Sequence, residues 1–317
     1  MAARFLWLFM LKRILIIGAT GNVGRQVISQ LLAMNIPVRA LVRQPDAANL
    51  PASVEIVYGD LTIPATLDRC LTDIDTVFLV WCAPATAIAP ALERIAKHAK
   101  RIVFLSSPHR TPHPFFQQAG WRSGELMANP AAALHMKIER VIVASGLEWT
   151  FLRPGMFALN TRLWWASMIC SGNIVRWPYA EALTAPIHER DIADVAARML
   201  IENGHSGEDH VLTGPQSLTQ FEQVSIIAEV VERPLRFDEI SPEEARRELL
   251  KVMPQPVIEM LLNAWAASIG QPAFVTSAVA DITGSPARTF RDWVMDHAAH
   301  HFIQRSPHVN TSPPDKD

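Results

Sequence analysis

In the first half of the chain, short apolar runs alternate with stretches of helical spacing. "ILIIG" (Ile14 to Gly18) has the length of a buried strand, and Val23 to Met34 then carries apolar residues every three or four positions. "PVRALVR" (Pro37 to Arg43) predicts a second strand, "VEIVYGD" (Val54 to Asp60) a third and "DTVFLVW" (Asp75 to Trp81) a fourth. Ile88 to Lys100 predicts a helix, Arg101 to Ser107 a fifth strand, Asn129 to Gly146 a helix closed by glycine, and "WTFLRPG" a sixth strand. Strands separated by helices imply βαβ units. The expected fold is α/β, a Rossmann-type doubly wound parallel sheet that binds ligands at the carboxyl ends of its strands.

The pattern changes after Pro154, where Met156, Phe157, Trp164, Trp165, Met168 and Trp177 gather. "IHERDIADVAARML" returns to an amphipathic helix, "DHVLTGP" reads as a late strand, and Thr219 to Ile303 is mostly helical in pattern. The expected organisation is a Rossmann core over 12–155, completed by segments within 174–215. A smaller, mostly helical substrate lobe then takes 156–185 and 216–303. Residues 304–317, polar and proline-containing, read as a disordered tail. No internal repeat stands out.

Composition narrows the function classes. The chain has 317 residues, 49% hydrophobic and 19% charged, enough to bury a sizeable core. Its 29 basic and 31 acidic residues nearly cancel, to a net charge of -2, so neither nucleic acid nor an anionic membrane is an expected partner. Cys70, Cys82 and Cys170 show neither a CxxC nor a Cys/His ligand spacing, so no disulfide framework and no metal site are expected. "RFLWLFML" (Arg4 to Leu11) is too short to span a bilayer and no cleavage site follows it. A cytoplasmic protein is expected, with Met10 an alternative start to Met1.

The chemistry begins at "GATGNVG". Gly18 permits a tight turn, Gly21 lets backbone approach a pyrophosphate, and Gly24 allows close packing of helix on strand. The spacing is GxxGxxG rather than GxGxxG, so the strand–turn–helix context carries the signal. Thr20, Asn22 and Val23 share that turn and are assigned to the same dinucleotide. Where NAD-binding folds place an acidic residue on the ribose, the second strand here ends in Arg43. A guanidinium suits a 2′-phosphate, which favours NADP(H) over NAD(H); an ordinary solvated loop charge is the alternative. Asp60, with Leu61, either reaches the adenine or caps the next helix.

"GATGNVGR", "ALVR", "GDL", "HMKIERVIVASGLEWTFLRPGMF", "PIHERDIADVAA" and "LTGPQSLTQFEQV", in that order, resemble the NmrA-like family of atypical short-chain dehydrogenase/reductases, from about Lys12 to Ile303. The resemblance implies a Rossmann domain with a smaller substrate lobe and NAD(P)H across the carboxyl edge of the sheet. Such proteins include NADPH-dependent quinone, isoflavone and dye reductases, and also redox sensors that bind the nucleotide without turnover.

Short-chain dehydrogenases commonly use Tyr-x-x-x-Lys, where the lysine lowers the tyrosine pKa and the phenol relays a proton. Four residues before Lys12, Lys97, Lys100, Lys137, Lys251 and Lys316 lie Leu8, Glu93, Ala96, Ala133, Arg247 and Ser312. None is tyrosine. Lys137 falls where the resemblance places the lysine of reductases lacking the tyrosine, and is the catalytic candidate; a surface lysine is the alternative. His135 is a weaker candidate proton donor. A conjugated acceptor that forms a stabilised anion takes its proton from water, so an NADPH-dependent reductase of a small apolar quinone, enone or carbonyl is expected. The rival is a nucleotide-sensing regulator acting through a protein partner.

Other assignments rest on strand ends. Ser106 and Ser107 either touch the nicotinamide or cap locally, Ala83 follows the fourth strand where backbone passes beside the adenine-side ribose, and Pro154, Gly155 and Phe157 lie against the nicotinamide. Cys82 reads as a small packing residue rather than a reactive thiol. Trp164, Trp165, Trp177, Phe115, Phe116 and Trp121 either form the lobe's core or line a pocket for an apolar or aromatic substrate. Asp191 and Asp194 read as helix-start carboxylates. His297, His300 and His301 have a spacing compatible with metal but show no apparent carboxylate partner, and read as a helix end. A homodimer is compatible with all of this.

Overall fold

Seven short runs of aliphatic residues form the central strands: β1 (Arg13–Ile17), β2 (Val38–Val42), β3 (Glu55–Tyr58), β4 (Ile74–Leu79), β5 (Arg101–Leu105), β6 (Glu148–Pro154) and β9 (Glu208–Leu212). They pair into one all-parallel sheet in the spatial order β3-β2-β1-β4-β5-β6-β9. β1 and β2 are buried on both faces nearly throughout, as a sheet covered by helices on each side requires. The computed structural model describes residues 13–109, 111, 113–117 and 130–303. Lys12, the "RFLWLFML" stretch, Trp121 and the expected tail over 304–317 lie outside the described residues.

The crossover helices follow in chain order: α1 (Asn22–Ala33), α2 (Leu67–Leu71), α3 (Ile88–His98), the short α4 (Pro114–Gln117), α5 (Pro130–Ala144), α6 (Asn160–Ser171) and α7 (Glu189–Ile201). α8 (Gln220–Val230), α9 (Pro242–Leu249), α10 (Gln255–Ser268), α11 (Ala278–Thr283) and α12 (Phe290–His301) come after them. One face of the sheet packs on α1 and α7 through Val27, Leu31, Ile192 and Ala196. The other packs on α2, α3 and α5 through Leu67, Leu92, Ile138 and Ile142. This is the doubly wound arrangement. The strand order reverses between β1 and β4, and open α/β sheets bind ligands at such a reversal.

The lobe has its own core, built on α6, α8, α9, α10 and α12. Trp164, Trp165, Trp177 and Trp265 pack mainly edge to face within it, with ring centres 5.3 to 6.3 Å apart. Two details depart from the expected helical lobe. β7 (Ile174–Trp177) pairs in parallel with β11 (Arg236–Glu239), while β8 (Leu183–Thr184) pairs antiparallel with β10 (Leu218–Thr219). Strands of two to four residues are too short for their periodicity to be read. α11 leaves the lobe and packs on α7, burying Val279 against the Rossmann core.

The close approach of α1 to β1 generates a stability prediction. A Cβ on Gly24 would lie 2.2 Å from the carbonyl oxygen of Gly18, both backbone-anchored, so neither can yield cheaply. Gly24→Ala is expected to cost about 1–3 kcal/mol or more in urea unfolding, as overpacking does. At Gly172 an added Cβ meets nothing nearer than 3.9 Å, so Gly172→Ala is the near-neutral control.

Candidate active site

The turn from β1 to α1 is shaped for an anion. Gly18 has φ +84°, and a Cβ there would lie 2.7 Å from Cβ of Val80. Gly21 precedes the helix without a side chain to cap it, and the first turn holds no acidic residue. The leading amides of α1, from Asn22 onward, are therefore left to a ligand and to the positive end of the helix. Val23 is buried beneath them, whereas Thr20 and Asn22 are exposed. Arg25, missed at the sequence level, braces the turn. Its guanidinium donates to the carbonyls of Thr20 (3.0 Å), Asn49 (2.7 Å) and Ala48 (2.9 Å). Its only sequence signal is its place directly after Gly24.

Arg43 is exposed at the end of β2 and lines an open trough with Thr20, Val42, Gln44, Ala47 and Ala48. No hydrogen bond or ion pair engages its guanidinium among the described residues. The Asp60 carboxylate turns back on its own loop, accepting from the backbone N–H (2.8 Å) and hydroxyl (2.7 Å) of Thr62. Those bonds hold its carboxyl below the ordinary range. It caps a local turn, and the 3-10 turn Pro64–Thr66 that follows has no side-chain cap. Leu61 is buried in the core and offers only backbone.

A second trough runs between the β4–α3 connection (Ala83, Pro84, Ala85) and α5 (Ala133, Leu134, Met136, Lys137, Arg140). Its walls are largely apolar and Lys137 is exposed in it, with no carboxylate in ion-pair range among the described residues. Ala133, where a short-chain dehydrogenase would carry tyrosine, lines the same trough. Tyr58 sits on β3 at the far edge of the sheet and Tyr179 packs in the lobe. Cys82 is exposed rather than packed, and desolvation of its sulfur pushes its thiol upward, away from thiolate reactivity.

Glu139, two residues beyond Lys137, faces the opposite way into a buried polar network. It accepts from the Ser106 hydroxyl (2.6 Å) and from Nε (3.0 Å) and Nη2 (2.9 Å) of Arg153, with Nε2 of His109 at 3.2 Å. Arg153 also reaches Asp209 on β9 at 2.7 Å. Burial alone would raise the Glu139 carboxyl, but the bonds from His109, Arg153 and Ser106 outweigh it and hold it at about 2. The hydroxyl of Ser106 is thus spent inside the protein. At the neighbouring position Ser107 Oγ is buried without a partner among the described residues, as is Thr111 Oγ1. His135 stacks obliquely on Phe104, 5.8 Å between ring centres. Burial, aided by the charge of His109, pushes its imidazole down to about 4, so it is neutral at neutral pH and is no store of acidic protons.

Where the lobe meets the carboxyl ends of β6 and β9, a narrow cavity of about 10 Å³, room for about one water, is lined by Phe115, Phe116, Gly155, Met156, Thr213 and Phe274, among others. Pro154 ends β6 buried, and Phe157 pairs with Ile187. Gly155 donates to the Leu212 carbonyl at 2.8 Å, which pins the cavity floor to β9. The segment carrying Ala273 and Phe274 closes the cavity from above. It is tied by Ala273 N–H to Ser217 (2.8 Å), by Thr276 N–H to Thr213 (2.9 Å) and by Nε2 of His113 to the Pro272 carbonyl (2.8 Å). His113 Nδ1 accepts from the Phe115 N–H at 3.2 Å, so its single proton is committed to Pro272. Of the aromatic residues singled out in the sequence, Phe115 and Phe116 line this cavity. Trp164, Trp165 and Trp177 are lobe core.

Two further sequence readings change. Asp191 and Asp194 do more than start a helix: both grip Arg288, Asp194 at 2.8 Å, which ties α7 to the segment before α12. His297, expected to have no carboxylate partner, lies 2.7 Å from Glu189, whose other oxygen accepts from the indole of Trp293. Sequence reading misses the partner because the fold stacks α12 on the start of α7, although Trp293 and Glu189 are 104 residues apart in the chain.

The sequence profile of the NAD(P)H-binding family matches residues 18–203. Over 295 residues, 90% of this chain and 98% of the relative, the chain is 35% identical to a (4-alkanoyl-5-oxo-2,5-dihydrofuran-3-yl)methyl phosphate reductase of Streptomyces griseus. It is 31% identical to an NAD(P)H azoreductase of Xenophilus azovorans, covering 90% of this chain and 98% of that protein. Among solved structures, an NADPH-dependent quinone oxidoreductase of Escherichia coli has the same fold, with a TM-score of 0.73 at 22% identity over 90% of this chain and all of that one.

The buried imidazole generates a pH prediction. The His135 value falls from 6.5 unfolded to about 4 folded, so the stability it contributes is complete above pH 6.5 and is lost as pH drops toward 4. Thermal unfolding followed across that window is expected to show His135→Phe losing less stability than the unaltered chain; parallel losses would refute the neutral assignment.

Proposed function

The chain belongs to the NAD(P)H-binding family, among its NmrA-like oxidoreductases, and from that membership we propose an NADPH-dependent reductase of a small, apolar, conjugated acceptor, an enone or quinone. The single observation that carries the choice of acceptor is the trough along α5. It presents the ammonium of Lys137, with no carboxylate in ion-pair range among the described residues, beside Arg140 and largely apolar walls, with alanine where a proton-relaying phenol would stand.

The residues suit the dinucleotide. Gly18, Gly21 and Gly24 leave a cradle that side chains would fill, and α1 starts uncapped. The buried, unpartnered Ser107 hydroxyl at the end of β5 supplies a polar group in want of a partner. On this reading the turn and the amides of Asn22 and Val23 hold the pyrophosphate, Arg43 grips the 2′-phosphate, Ala83 lies beside the adenine-side ribose, and Ser107, Pro154 and Phe157 lie along the nicotinamide half. Ser106 steadies them through Glu139. When bound, the reduced nicotinamide supplies a hydride.

Lys137 contributes positive potential where negative charge develops on the acceptor oxygen. Phe116, Met156 and Phe274 present apolar surface at the narrow cavity beside the lobe and favour a flat apolar ring lying against it. Among the described cavity-lining groups His113 has no proton to give, because its N–H is held by Pro272. This favours an acceptor whose anion is stable enough to be protonated by solvent. The name of the Streptomyces relative describes such a compound: a dihydrofuranone ring whose double bond is conjugated with both a lactone and an alkanoyl carbonyl.

NADPH oxidation against acyl-butenolides, quinones, azo compounds and saturated ketones tests the proposal. Turnover with conjugated acceptors and none with saturated ketones is expected; tight NADPH binding with no turnover on any acceptor would make the protein a sensor. Lys137→Met is expected to lower kcat at least about tenfold, as loss of an oxyanion-stabilising group does. Arg43→Asp is expected to erode the preference for NADPH over NADH by roughly 10- to 100-fold, the worth of charged hydrogen bonds. An unchanged preference would remove Arg43 from the 2′-phosphate.

A further inference from the structure

At the amino end of β9, away from the carboxyl ends that carry the site, three side chains converge. Oε2 of Glu208 lies 3.1 Å from Nδ1 of His205 and 3.2 Å from Nε2 of His210. All three residues place a ligand atom within 4.8 Å of the other two. We propose that His205, Glu208 and His210 form a binding site for a divalent transition-metal ion of the zinc type, unrelated to the nucleotide. The expectation of no metal site rests on cysteine spacing, which does not reach this cluster.

The backbone holds the cluster together. Glu208 and His210 are alternate residues of one strand and so share a face. Gly204 (φ +104°) and Gly207 (φ +84°) adopt left-handed conformations on either side of His205, folding it back over the strand. The turn is then fastened to β6: the His205 carbonyl accepts from the Thr150 hydroxyl at 2.8 Å, and the Gly207 N–H donates to the Trp149 carbonyl at 2.8 Å. The strand itself is in register, Thr150 with Glu208 and Leu152 with His210. All three ligands thus stand on fixed backbone.

The donor set and spacing select the ion. Tetrahedral zinc, with bonds of about 2.0–2.2 Å to imidazole and carboxylate, sets its ligand atoms about 3.3–3.5 Å apart. The two distances to Glu208 are already near that value. Two imidazole nitrogens disfavour magnesium and calcium, which prefer all-oxygen shells. The other ring nitrogen of His205 lies 3.8 Å from Glu202, the kind of carboxylate partner that orients a metal-bound histidine. The three residues are only partly buried, leaving the fourth position to water.

The other histidine–carboxylate cluster, His188, Glu189 and His297, is a poorer candidate because its atoms are committed. His188 Nδ1 accepts from the Arg190 N–H (3.1 Å), its Nε2 faces Asp296 (3.2 Å), and Glu189 is bonded to Trp293 (3.0 Å). A metal there would have to displace a helix cap.

The test uses the full chain without an affinity tag, titrated with Zn²⁺ against a fluorescent chelator. One equivalent is expected to be retained in competition, unaffected by excess Mg²⁺. His205→Ala and His210→Ala are each expected to weaken retention at least about tenfold, while His297→Ala leaves it unchanged. X-ray absorption at the zinc edge of the unaltered chain is expected to show two imidazoles and a carboxylate oxygen, a readout that depends on no variant. Failure of the unaltered chain to retain zinc, or retention undiminished in both His205→Ala and His210→Ala, would overturn the proposal.

Discussion

The buried bond between Glu139 and Arg153 organises the side of the sheet that meets the lobe. Both side chains are almost wholly buried, at 3% exposure each. A buried ion pair contributes little net stability, because desolvation cancels much of its Coulomb gain, but breaking one leaves an uncompensated charge. Its consequence here is registry. Glu139 collects Ser106 from the end of β5, Arg153 from β6 and, through Arg153, Asp209 from β9. Three strands and one helix are thereby locked at the side of the sheet that carries the cavity beneath the lobe. The lock also fixes the rotation of α5. With Glu139 and Ile138 turned inward, Lys137 must face the trough.

A second constraint governs the nucleotide half, and it is steric rather than electrostatic. The carbonyl of Gly18 accepts from Gly21 at 3.1 Å and lies where a side chain on Gly24 would be. The side-chain-free positions let α1 begin so close to β1 that its free amides stand over the strand end. Arg25 then ties this turn to the Ala48–Asn49 segment beyond β2, so the Arg43 trough is held against the glycine turn. The same steric logic recurs at Gly214, where a Cβ would lie 2.0 Å from the Pro186 carbonyl.

How much of this is legible in the sequence follows from the range of each interaction. The doubly wound sheet is readable because strands such as Ile14 to Gly18 and helices such as Ile88 to Lys100 impose local periodicity. The turn is readable because its three glycines lie within seven residues. The network is not. Nothing in "HMKIER" says that Glu139 rather than Lys137 turns inward, nor that Ser106, 33 positions earlier, is its partner. The same holds for Glu189 and His297, and for the Asp191–Arg288 pair, whose members are 97 residues apart. The tryptophans pose a different difficulty. Core and pocket both call for large apolar rings, and only the fold, by adding Trp265 to Trp164, Trp165 and Trp177, makes them core.

The proposed chemistry follows from where polar groups are already spent. A reductase of simple ketones must deliver a proton to a strongly basic alkoxide, and so needs a placed acid. Near this site the candidate donors are committed or neutral: Ser106 donates to Glu139, His113 to Pro272, and His135 holds no extra proton above about pH 4. What is left is the Lys137 ammonium, the unassisted hydroxyl of Ser107, which is a weak acid, and apolar walls. Such a site is better suited to stabilising charge than to delivering a proton, which is sufficient when the acceptor's anion is delocalised over a ring or a second carbonyl. The placement of Glu139 and Lys137 on opposite sides of α5 then has a chemical meaning as well as a structural one. It keeps the buried carboxylate of Glu139 away from the ammonium, whose charge would otherwise be neutralised before any substrate arrived.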